Sequence, residues 1–139
     1  PTSSQMTSGT TDLPKPGHVL RYVYLFAEEA ARGRDEGVKE RFVVVGGVLG
    51  RRYRVAAITT KGEGREGTLL LPAPVATAAG VTVGSSIVVS EFNRFTWPGF
   101  DIRPLMKQPG YIAGRLPPRF TAKIIDAIGA WGAAAVDRD

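Results

Sequence analysis

The sequence predicts a mainly β fold: a small, strongly bent antiparallel sheet or half-open barrel, with one short helix and a C-terminal helix. Three observations carry this reading. Runs rich in β-branched and aromatic residues recur between Gly-, Pro- and charge-rich breaks. The connections between those runs are too short for parallel crossovers. Near the chain's end, Phe120, Ile124, Ala127, Ile128, Trp131 and Ala135 fall at the spacing of one helical stripe.

Taken in order, residues 1–13 are Ser/Thr-rich and aperiodic and read as a disordered tail, leaving residues 14–139 as a single domain. His18 to Phe26 is dense in β-branched and aromatic residues and makes a first strand. Ala27 to Gly37 supports a helical turn or two before Gly33 and a charged loop after it. Phe42 to Val45 and Tyr53 to Ile58 flank a Gly-rich centre with three arginines, the pattern of a β-hairpin with a solvated tip. Lys61 to Gly67 has too many glycines and charges for regular structure. Thr68 to Leu71 returns to strand, and Pro72 to Gly80 reads as a short helix closed by glycine. Gly84 to Phe92 is a further strand, Asn93 to Pro104 an aromatic loop, Tyr111 to Leu116 a last strand, and Pro118 to Val136 the closing helix.

At 139 residues and 43% apolar content, the chain fits one domain with a real core. It has no cysteine, so neither a disulfide framework nor a thiolate nucleophile is available. A formal charge of +5 favours polyanions or an acidic protein segment. No apolar stretch approaches the roughly 20 residues needed to span a bilayer, and no signal-peptide core opens the chain. A protein free in the cytoplasm, with no membrane association, is expected.

If the hairpin folds back near Gly50, Arg41 lies across from Thr59 at its open end. That pairs a guanidinium fork with a hydroxyl, a combination suited to gripping a phosphate. The plainer alternative makes Arg41 a surface strand residue paired with Glu40 or Glu91, and Thr59 a threonine chosen for β-propensity. Arg51, Arg52 and Arg54 at the tip, with Lys61 and Arg94, are candidates to track a phosphate backbone, or are simply solvated. Phe95 and Trp97 are candidates to stack unpaired bases, or to plug the core. His18 is the only histidine and reads as a half-buried strand residue. Nothing has the spacing of a zinc site, and no cofactor is expected. Gly62 to Gly67 spells G-x-G-x-x-G, but the residues after it, T-L-L-L-P, open no helix, which argues against a dinucleotide site.

Several segments resemble the PemK-like branch of the PemK/MazF family of toxins from toxin–antitoxin systems. They are Lys15-Pro16-Gly17-His18-Val19, the acidic loop from Glu36 into Arg41 and Phe42-Val43-Val44-Val45, the pair Ile58-Thr59, Ile87 through Pro104, and Gly114-Arg115-Leu116-Pro117-Pro118. Their order along residues 14 to 125 carries the resemblance more than any one of them. The resemblance implies an SH3-like barrel that dimerises, and a metal-independent endoribonuclease toxin cutting single-stranded RNA to 2′,3′-cyclic phosphate and 5′-hydroxyl ends. It also implies an antitoxin partner. The family's catalytic arginine corresponds to Arg41, its threonine to Thr59 and its acidic partner to Glu36. One departure stands out, since Phe42 occupies the place where the family usually has proline. The rival expectation is a non-cleaving binding module on the same scaffold, engaging nucleic acid or a protein such as gyrase, as the related CcdB toxins do.

Overall fold

The computed structural model of the chain describes residues 13–33, 40–61, 64–99, 101–106 and 109–138. Its described strands are β1 (His18–Val23), β2 (Glu40–Leu49), β3 (Arg52–Thr59), β4 (Thr68–Leu70), β5 (Ser86–Val88), β6 (Glu91–Thr96), β7 (Ile102–Arg103), β8 (Ile112–Arg115) and β9 (Ala134–Asp137). The helices are α1 (Ala27–Ala31), α2 (Ala73–Ala79) and α3 (Pro118–Trp131). The fold is thus mainly β, an antiparallel sheet with few short helices and a C-terminal helix.

The β2–β3 hairpin is the spine. Leu49 pairs with Arg52 across a two-residue turn in which Gly50 takes φ +62°, the left-handed conformation such a turn requires. A bulge lies between Val45 and Val48, where Gly46 and Gly47 sit. Beyond it the register runs Val45↔Val55, Val44↔Ala56 and Val43↔Ala57. Successive residues point to opposite faces, so Val44, Ala56 and Ile58 enter one core with Leu71, Ile87, Phe120 and Ile124. Val43, Val45, Val55 and Ala57 enter a second core with Leu20, Tyr22, Tyr53 and Phe95. Burial on both faces explains why these strands read as continuous apolar runs rather than alternating ones.

β1 pairs with β2 along one edge and shares its other edge between β7 and β8. β3 likewise gives its outer edge to β6 near the hairpin tip and to β5 at Ile58 and Thr59. Two strands per edge is how this sheet branches. Among the described residues no ladder joins its ends into a closed barrel.

Four expectations change. The Gly84 to Phe92 strand is two strands, β5 and β6, and β6 runs on into the aromatic segment, where β7 adds another. The closing helix stops at Trp131 because Gly132, with φ +74°, caps it in the left-handed conformation. Ala135 therefore lies in β9 and not on the helical stripe. Finally, β9 pairs with β6 in parallel, after a connection that contains α3. No helix among the described residues is long and apolar enough to cross a membrane.

Candidate functional site

At the open end of the hairpin the β2–β3 register, continued two residues past Val43↔Ala57, sets Arg41 opposite Thr59. There the strands part company: Arg41 pairs with Tyr22 of β1, and Thr59 pairs with Ser86 of β5. The opening between them is a cleft of about 380 Å³. Arg41, Phe42, Thr59 and Lys61 line one side, and Gly80, Val81 and Thr82, just past α2, line the other. Arg41 and Thr59 are half-buried at its wall, while Lys61 is exposed at its mouth.

The Arg41 guanidinium lies over the Phe26 ring, 4.8 Å from its centroid, and its Nε is buried without a hydrogen-bond partner. Among the described residues no carboxylate lies within ion-pair distance of Arg41. Glu40 pairs with Arg21 and Arg103 instead. Glu91 accepts hydrogen bonds from the Ala27 amide (2.7 Å) and the Tyr24 hydroxyl (3.4 Å). The alternative that paired Arg41 with Glu40 or Glu91 is therefore not what the side chains do.

The platform under Arg41 is built from several contacts. The Phe26 amide donates to Glu29 Oε1 (3.0 Å), and Glu91 holds the next amide, so the start of α1 is fixed from two sides. Asn93, fully buried, grips Leu25 by accepting from its amide (2.9 Å) and donating to its carbonyl (2.7 Å). Burial raises the Glu91 carboxyl above its ordinary range, opposed by the Ala27 and Tyr24 hydrogen bonds. Burial first, and then the Glu91 carboxylate, raise the Tyr24 hydroxyl so far that it stays neutral. Sequence reading did not single out Phe26, Asn93 or Tyr24, whose roles depend on pairings 15 to 68 residues apart.

Thr59 Oγ1 accepts from the Lys61 amide at 3.1 Å, which orients the hydroxyl and leaves its proton free to donate. Phe42, standing where the resemblance expects proline, packs against the first core and lines the cleft. Its burial holds the strand entry by packing instead of by a fixed φ. His18 is half-buried, as expected. Its Nδ1 accepts from the Lys15 amide (2.8 Å), and burial with nearby Arg115 and Lys15 lowers its pKa.

The remaining sequence-predicted residues divide. Glu36 lies outside the described residues. Arg52, Arg54 and Arg94 converge on a second cleft beside the hairpin tip, whereas Arg51 is exposed at the turn and does not line it. Phe95 is corrected: its ring is 1% exposed, stacked between Tyr22 and Tyr53, so no base can reach it. Trp97 is half-buried against Tyr53, Phe95 and Tyr111 and closes the second core. Asp101, which with Glu91 flanks the aromatic segment, pairs with Arg138 (2.8 Å). After Gly67 the chain enters β4, and no helix opens there.

Comparison with known protein families, curated proteins and solved structures finds no match to this chain.

Proposed function

We propose that this chain is a metal-independent endoribonuclease of the PemK/MazF kind, cutting single-stranded RNA to a 2′,3′-cyclic phosphate and a 5′-hydroxyl. The observation that supports it is the cleft that Arg41 and Thr59 both line; among the described residues no carboxylate pairs with the Arg41 guanidinium, and the Thr59 hydroxyl keeps a free proton. When the 2′-oxygen attacks phosphorus, negative charge builds on the nonbridging oxygens as the new P–O bond forms. A guanidinium already seated on Phe26 meets that charge without reorganising. Thr59 donates a second hydrogen bond to the same phosphate. The bond to the 5′-oxygen then breaks, and that oxygen takes a proton from water.

The 2′-hydroxyl's own proton goes to a carboxylate or to solvent. Glu40 lines the cleft, but Arg21 and Arg103 already engage its oxygens, which leaves Glu36 as the acidic candidate. Lys61 at the mouth is placed to hold a flanking phosphate. The same reading carries a homodimer, an antitoxin that neutralises the enzyme, and action in the cytoplasm.

Arg41→Ala should lower the cleavage rate of a single-stranded RNA by about 10²- to 10³-fold, the cost of losing one oxyanion donor. The assay is run in excess EDTA, with the ends mapped. Unchanged cleavage in the variant sinks the assignment. One observation favours the rival: packing on Phe26, with a buried Nε, also suits an arginine that only anchors its strand. A non-cleaving module of this kind predicts no RNA scission by the wild type, together with binding of nucleic acid or inhibition of gyrase supercoiling.

A further inference from the structure

The second arginine cleft has a composition that folding does not explain. Arg54 of β3 stands directly opposite Arg94 of β6, and Arg52 comes two residues away on the same face. Like charges directly opposite on paired strands destabilise a sheet. Partial relief comes from Asp137 on β9, 3.3 Å from Arg94, and from the Phe92 ring under Arg54 at 5.3 Å. Among the described residues no carboxylate reaches Arg52 or Arg54. The cleft, about 400 Å³ and lined also by Gly47, Val48 and Leu49, therefore gathers two arginines, Arg52 and Arg54, that meet no carboxylate among the described residues, beside an Arg94 that Asp137 neutralises in part.

The geometry points to a binding site for the phosphodiester backbone of single-stranded RNA, separate from the Arg41 cleft. Guanidinium forks match phosphate oxygens in shape. Arg52 and Arg54, two residues apart on one strand, are spaced by about 6.7 Å, comparable with successive phosphates of an extended single strand. The site lies about 17 Å along β3 from Thr59, five residues at the strand rise, so it engages nucleotides remote from the one in the other cleft. Among the described residues no ring lines this cleft, and the Phe92 ring beside it is covered by Arg54, so it reads backbone and not base.

Binding here does not require that the chain cleave RNA, so the test is made on an uncleavable ligand. A fluorescent 2′-O-methyl RNA 12-mer, whose 2′-oxygens cannot attack, is titrated with wild type, Arg41→Ala and the double variant Arg52→Ala/Arg54→Ala at several salt concentrations. The double variant should bind at least about tenfold more weakly, with the slope of log affinity against log salt reduced by about 0.7 for each phosphate no longer neutralised. Lysine at both positions should keep most of the slope. Should the alanine pair melt early, Arg52→Glu at the exposed position makes the same test. Affinity and slope unchanged in these variants would overturn the site. So would a poly-glutamate peptide that binds the cleft more tightly than the RNA. Loss of cleavage in Arg41→Ala with retained 12-mer binding separates the two clefts.

Discussion

Arg41 illustrates how a charged side chain becomes useful when its neighbours are committed elsewhere. Glu40, adjacent in sequence, is drawn off by Arg21 and Arg103, and Glu91 is drawn off by the Ala27 amide and Tyr24. Phe26 is left to support the guanidinium, and Glu91 fixes Phe26 through α1. Glu91 is thus a positioning residue whose titration should be visible in stability. Its carboxyl is raised by burial above the ordinary 4.5, so the folded state favours the protonated form. Its stabilising contribution is fully present below the unfolded value and is lost as pH rises through the raised folded value. Glu91→Gln removes the titration and keeps an oxygen to accept from Ala27. The wild-type Tm, measured relative to that of Glu91→Gln, should therefore fall as pH is raised from about 4 toward 7. A difference between the two that is flat with pH would contradict a raised Glu91.

At the scale of elements, the cleft depends on where α2 ends. Gly80, capping α2 at φ +75°, and the two residues after it form the wall facing Arg41 and Thr59. What sets α2 at that distance is Gly114 of β8, because a Cβ there would collide with the Ala79 carbonyl oxygen and lie 2.7 Å from its carbon. Backbone cannot yield as a flexible side chain does. Gly114→Ala should cost about 1–3 kcal/mol by forcing α2 off the sheet, read as a Tm several degrees lower. Because the same shift displaces Gly80 to Thr82, cleavage should weaken in protein that is still folded at the assay temperature. A variant with unchanged Tm would mean that α2 is not seated by Gly114. The hairpin and α2 were legible because their signals are local: Gly50 at the turn, Pro72 and Gly80 at the helix ends, β-branched runs between. The juxtaposition of Arg41 and Thr59 was legible only to within a residue: the turn register, Leu49↔Arg52, would set Arg41 opposite Thr60, and the bulge at Gly46 and Gly47 moves it onto Thr59. The α2 wall was not, because nothing between Pro72 and Gly80 says that its end will meet β8.

The whole molecule is a sheet that branches at β1 and β3, and its last strand ties the branches together. β9 extends the sheet beyond β6, buries Val136, and places Arg138 against Asp101 at the start of β7, with those side chains 5% and 16% exposed. None of this was readable from Ala133 to Arg138, whose composition suits a helix as well as a strand. Gly132 stops the helix, and the free edge of β6 then draws Ala134 to Asp137 into a strand. The sheet reaches its extent through pairing across distant segments, so losing this one strand should be felt throughout. Arg138→Ala leaves the Asp101 carboxylate largely buried without its cation, and a cost of about 3 kcal/mol is expected, the lower end of what breaking a buried ion pair costs. A chain ending at Gly132 loses in addition the burial of Val136, worth about 1.5–3 kcal/mol, and exposes the β6 edge to pairing with other copies. Its urea midpoint should drop further than that of Arg138→Ala, in one transition seen alike by far-UV circular dichroism and by the fluorescence of Trp97 and Trp131. Two separated transitions would mean that the branches fold independently, and the strands meeting at the Arg41 cleft would then owe their alignment to the hairpin alone.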